Sequence, residues 1–166
     1  MSFSSTGATE RLINAHKKCR NHLMILLSSI SDEQWFKIPE NGKWSIQRCA
    51  THIVNAELFW MNKTDNATVE YMDSKVTISD YQKKEQEVTE LYRSVVKKEG
   101  EKGFNWKRPR DGSPSYHWDM IRTLQHAIYH MGMISNLRHM VGAPKLENVQ
   151  TSWEEMVDSV FEIAIK

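Results

Sequence analysis

The sequence predicts an all-α protein, a four-helix bundle with long inter-helix connections and a short C-terminal helix. Three observations predict it. Apolar residues recur at three- and four-residue spacing through four long segments. Ser or Thr residues with an acidic or amide residue three positions later mark several helix starts. No alternating apolar–polar run of strand length interrupts them, and there is no internal repeat or low-complexity tract. The 166 residues fit a single domain, taken as 1–166, and can bury a core without disulfide staples.

The first helix is expected from about Thr9, a possible cap, to Ile30. Its stripe is Leu12, Ala15, Cys19, Leu23, Leu26 and Ile30. Ser31-Asp32-Glu33-Gln34 is a capping box opening a short turn that carries Trp35, closed by Pro39 and Asn41-Gly42. Ser45 is placed to cap the second long helix, running to about Lys63 with Ile46, Cys49, Ile53, Ala56 and Trp60 on its apolar side. Residues 65–78 show no period and read as a long connection. Ser79-Asp80-Tyr81-Gln82 is a second capping box, opening a third helix with Tyr81, Val88, Leu91, Tyr92 and Val95 inward and an end near Gly100. Gly103 to Pro114 reads as a loop. Ser115 caps a fourth helix that buries Met120, Leu124, Ala127, Ile128, Met131, Ile134 and Leu137, and stops at Gly142 and Pro144. Ser152-Trp153-Glu154-Glu155 is a third box, opening a short terminal helix with Met156, Val160, Phe161 and Ala164. The long connections favour at least one crossover over a simple up-down-up-down bundle.

The bulk numbers exclude several classes. A net charge of +1 gives no global attraction to nucleic acid or an anionic membrane, and the run Lys107-Arg108-Pro109-Arg110 reads as a solvated loop. No apolar run approaches the roughly 18 residues of a membrane span. The first residues lack a signal-peptide pattern, so the expected location is cytoplasmic. Cys19 and Cys49 fall on apolar faces and are expected as buried free thiols. The acceptor patterns Asn62-Lys63-Thr64 and Asn66-Ala67-Thr68 are taken as chance matches.

Three histidines carry the chemistry. His126 and His130 stand at i and i+4 of one helix, so their rings lie one above the other and can converge on one ion. Seven histidines produce such a pair by chance often enough that alone it is weak. His52 adds a third imidazole from another bundle helix, between Cys49 and Ala56, on what reads as the inward face. Bundle interiors commonly hold metals on side chains of facing helices, and three ligands leave positions open for a substrate. His139 lies too far along the helix to share the ion, whereas His117 is placed where it can approach the mouth of the site. His16 and His22 read as surface or packing residues. Trp35, Trp44, Tyr71, Trp106 and Trp118 are candidates for pocket walls or core.

Two stretches bring a resemblance. Gly42-Lys43-Trp44-Ser45-Ile46 followed by His52-Ile53, and His126-x-x-x-His130-x-Gly132-x-Ile134 followed by Leu137 to Pro144, resemble the two signatures of the DinB-like (YfiT-like) family of metal-dependent enzymes. The resemblance implies a DinB/YfiT-like four-helix bundle, a divalent metal on His52, His126 and His130, and a homodimer. The terminal Trp153, Phe161 and Ile165 offer weak support for such an interface. It also implies chemistry with a low-molecular-weight thiol such as bacillithiol, mycothiol or glutathione. Arg48 stands where the family often carries Glu or Gln, and Met131 and Met133 where it often carries Arg and Gln. Arg48 either turns inward to receive an anionic group or extends outward.

The expected function is therefore a three-His, metal-dependent enzyme, a thiol-dependent (bacillithiol-type) S-transferase. The alternatives are a metal-dependent hydrolase and a non-catalytic metal or small-ligand binding protein. The expected cofactor is a divalent ion, zinc or nickel by preference, since imidazole suits several metals. The expected partners are a small-molecule substrate and a second copy of the chain, with no nucleic acid and no membrane. Trp44, Arg48 and His117 are the candidate substrate-site residues. No carboxylate stands out as a general base; Glu57 points off the His52 face.

Overall fold

The computed structural model describes residues 5–65, 69–103 and 115–165. Most of the expected loop from Gly103 to Pro114, with its basic run and Trp106, lies outside these, as does Asn66. The described residues form six helices and no strand: α1 (Ser5–Leu27), α2 (Asp32–Phe36), α3 (Ile46–Asp65), α4 (Ile78–Gly100), α5 (Tyr116–Met140) and α6 (Val149–Ile165).

The stripes that define the helices meet in one core. Leu12, Ala15, Cys19 and Leu23 of α1 pack with Ile46, Cys49 and Ile53 of α3, with Tyr81, Val88, Tyr92 and Val96 of α4, and with Met120, Leu124, Met131 and Ile134 of α5. Both cysteines are buried and free, and burial pushes the Cys49 thiol up to about 11. Leu91 and Phe161, expected inward, are exposed. No helix among the described residues is long and apolar enough to cross a membrane.

The caps decide the starts. Ser31 and Gln34 form the expected box at α2. Ser45 Oγ accepts from Arg48 N at α3, and Ser115 caps α5 through Trp118 N. At α4 the cap is Thr77 rather than Ser79: its hydroxyl accepts from Asp80 N and donates to the Asp80 carboxylate. Two capping patterns overlapped here, and the earlier one closes onto a side chain. α6 starts three residues before the expected Ser152, whose hydroxyl bonds back to Val149 O inside the first turn. It is a 17-residue helix packed on α1, longer than the short element expected.

Side-chain contacts fix the helix directions. At one end Thr9 of α1 and His117 of α5 bond to each other, and Glu99 of α4 reaches His117. Thr64 of α3 donates to Asp119 at the same end. At the other end Arg138 of α5 donates to the carbonyls of Leu26, in the last turn of α1, and Ser28, just past it. So α1 and α5 run parallel to each other and antiparallel to α3 and α4. Parallel α3 and α4 are neighbours, and their connection is the crossover that the long linkers led one to expect. Its described part returns along α3, where two asparagines hold it. Asn62 pairs with both backbone groups of Val69 at 2.8 and 3.0 Å. Asn55 pairs with both of Met72 at 2.8 and 3.3 Å. Trp35 Nε1 then donates to Val76 O at 2.9 Å. Asn62, dismissed as a chance acceptor pattern, thus has its amide committed to the fold.

Candidate metal centre

α5 contributes His126 and His130 one turn apart, and the adjacent α3 contributes His52. The ring centroids lie 4.8 Å (His52–His126), 4.7 Å (His52–His130) and 4.5 Å (His126–His130) apart. One ligand atom from each falls within 4.8 Å of the others, and this is the group among the described residues arranged to hold an ion. The three predicted histidines are therefore brought together. The depth of His52 differs from expectation. His52 is exposed, His126 half-buried and His130 buried, so the cluster sits at the α3–α5 rim and opens to solvent. Residues 49 and 53 take the inward face of α3, which rotates residue 52 to its edge.

The nitrogens fit a cation. His126 Nε2 and His52 Nε2 are 3.1 Å apart, within hydrogen-bonding reach. Two nitrogens each about 2.0–2.1 Å from a tetrahedral zinc would stand about 3.3 Å apart. His126 Nδ1 and His130 Nδ1 are buried with no hydrogen-bond partner among the described residues. An ion held through Nε2 leaves Nδ1 as the outer ring nitrogen, which in metal-binding histidines usually donates to a carboxylate, a carbonyl or water. Burial pushes both imidazoles down to about 4, with His130 and His52 adding to the effect at His126 and His52 adding to it at His130. Burial and then Arg48 also lower His52. All three are neutral near pH 7, the form that donates a lone pair.

Aromatic packing orients the rings. Trp44, just before the Ser45 cap, stacks on His130 at 5.5 Å and meets the His52 edge at 5.2 Å. Tyr129 meets His130 edge-on at 5.1 Å. Arg48 resolves outward: exposed, its guanidinium lies 4.7 Å over Trp44 and donates to Lys43 O. It braces the wall of the site rather than entering it.

His117 does not approach the mouth. It is fully buried at the start of α5, bonded to Thr9 and Glu99, about 13 Å along the helix from His126 at 1.5 Å per residue. His16, expected at the surface or in packing, is buried and bonded to Glu57. His139 is exposed near the end of α5. Met131 is core and Met133 is partly buried against it. A cavity of about 330 Å³ opens beside His52 and His126, lined by Asn55, Ala56, Phe59, Trp60, Tyr71 and Arg122. Only Tyr71 had been named as a pocket candidate. The signal lay in spacing: residues 52, 55, 56, 59 and 60 share one face of α3, and 122, 126 and 130 one face of α5. A larger cavity of about 400 Å³ between α1 and α4, at Thr9 and Gly100, lies at the His117 end.

No curated protein and no solved structure gives a significant match to this chain. The sequence profile of the DinB superfamily matches residues 15–134. That span runs from mid-α1 through all three histidines into the last turns of α5. The resemblance seen in the two short motifs thus extends over most of the bundle, and the chain belongs to the DinB superfamily.

Proposed function

We propose that the chain is a metal-dependent enzyme in which His52, His126 and His130 hold one divalent ion and a low-molecular-weight thiol is transferred to an electrophile bound beside it. The observation that carries this is the open rim. Three neutral imidazoles converge, and no carboxylate or thiol joins them among the described residues. A purely structural site is usually closed by a fourth protein ligand. A divalent ion with open positions lowers the pKa of a bound thiol and polarises water or a carbonyl.

The chain's own residues supply the rest. Trp44 and Tyr129 hold the imidazoles in orientation, and Phe59, Trp60 and Tyr71 give the adjoining cavity an aromatic wall. In the transfer the thiol proton goes to solvent, the S–C bond forms, and the electrophile's leaving group departs with the bonding pair. Among the described residues the cavity lining has no Asp or Glu, which favours this over a hydrolysis needing a protein acid for the leaving group. Cobalt-substituted protein titrated with bacillithiol, mycothiol and glutathione should develop a thiolate-to-cobalt charge-transfer band with one of them. Cobalt bound at the histidines with no such band for any thiol would overturn the thiol assignment.

A further inference from the structure

The cavity beside the histidines has a chemical character of its own. Phe59 and Trp60 project from α3 and stand edge to face at 5.2 Å. Tyr71 closes the third side from the crossover segment. Its position follows from the two asparagine clamps, which fix the backbone at Val69 and Met72 on either side of it. Three aromatic walls in a space of about 330 Å³ suit a flat apolar group; small-molecule sites occupy about 300–1,000 Å³. Among its described lining residues the permanently charged side chain is Arg122. Arg122 lines the cavity one turn before His126 on the same face of α5. Lys63 Nζ lies 5.4 Å over the Trp60 ring. Among the described residues no acidic side chain lines the space and none forms an ion pair with Arg122. A planar guanidinium offers two parallel N–H donors, which match a carboxylate.

We propose that this cavity is a carboxylate subsite. It takes a substrate with a flat apolar group against Phe59, Trp60 and Tyr71 and a carboxylate on Arg122. The reacting carbon then lies at the three histidines, on the His52 and His126 side of the same cavity. The assignment rests on the function proposed above, because it makes the cavity the electrophile's side of that site. It specifies the electrophile as an aryl or similarly flat carboxylic acid. Arg48, the cation marked by the sequence, is committed to Trp44 and Lys43 O; Arg122 takes the anion-binding role it had been considered for.

The probes are 3-phenylpropionate and its neutral amide, 3-phenylpropionamide, titrated by ligand-observed NMR into the wild type, Arg122→Gln and Trp60→Ala. Each protein is used zinc-loaded and after chelation. The acid should bind the wild type at least about tenfold more tightly than the amide in both conditions, the gain of one charge-assisted pair. Arg122→Gln should erase that preference and leave amide affinity and zinc content unchanged. Trp60→Ala should weaken both probes by a similar factor. An acid preference that survives in Arg122→Gln, or no binding of either probe, overturns the subsite. Wild type that takes up no zinc overturns the metal reading instead, and the chelated titrations still decide the subsite.

Discussion

Replacing His52 with Ala should abolish the thermal protection that zinc gives the wild type while leaving the metal-free protein almost as stable as before. An ion that binds only the folded state stabilises it by mass action, by about 2.7 kcal/mol at a free concentration a hundred times Kd. For a chain of this length that is roughly 5–10 °C in Tm. Each histidine is one of three protein ligands, so losing any one should remove most of the affinity. His52 makes the sharpest of the three variants because it is exposed. Exposed substitutions usually change stability by no more than about 0.5 kcal/mol, so the metal effect is not mixed with a packing loss. His130 is buried, and its replacement would combine the two. Melting curves with zinc and with chelator, on both proteins, make the comparison. If chelator lowers both midpoints equally, His52 is not a ligand.

Glu57→Gln should destabilise the fold by about 3–5 kcal/mol, the usual consequence of removing one partner from a buried ion pair. Glu57 is 1% exposed and lies across the core from α1. One of its oxygens meets the Arg20 guanidinium and His16 Nε2, the latter at 2.6 Å. Arg93 Nε donates to His16 Nδ1 at 3.1 Å. That fixes a neutral His16 donating through Nε2, in line with the burial that lowers its pKa. Burial alone would raise the Glu57 pKa; Arg20 and then His16 outweigh it and hold the carboxyl at about 2. Its unfolded value is near 4.5, so the unfolded chain takes up this proton first as pH falls. The contribution is therefore fully present above about 4.5 and lost toward about 2. Urea melts at pH 7 should show the deficit in Glu57→Gln. Melts between pH 4.5 and 2 should show a pH-linked loss in the wild type that the variant lacks in part. A variant within about 1 kcal/mol of wild type at pH 7 would mean that this network is not a stability element.

The contrast between Glu57 and His52 shows what was legible in the sequence. Helices, most caps and the stop at Gly142 depend on local chemistry, and local chemistry is written in consecutive residues. Gly142 at φ 71, with Ala143 N bonded to Arg138 O, is a helix end that only the Gly-Ala-Pro order could have announced. The histidine cluster was legible because helical spacing and a second motif pointed to the same site. The depth of His52, the burial of Glu57 and the remoteness of His117 depend on how each helix is rotated against its neighbours. A stripe bounds that rotation to about one residue on either side, which is enough to move His52 from core to rim. The asparagine clamps and the pairing of Arg138 with the end of α1 join segments far apart in the chain. No local pattern marks them. Ser79 is the cap that the sequence predicts for α4, and the closed turn shows that the cap is Thr77, two residues earlier.

Metal content per folded chain is the most direct test of the central claim. Wild type, His52→Ala, His126→Ala and His130→Ala are each loaded with zinc, freed of excess, checked for helicity and submitted to elemental analysis. Convergence of three imidazoles on one ion predicts about one zinc per wild-type chain and less than about a tenth of that in every variant. Equal zinc in all four proteins, or none in the wild type, would contradict it.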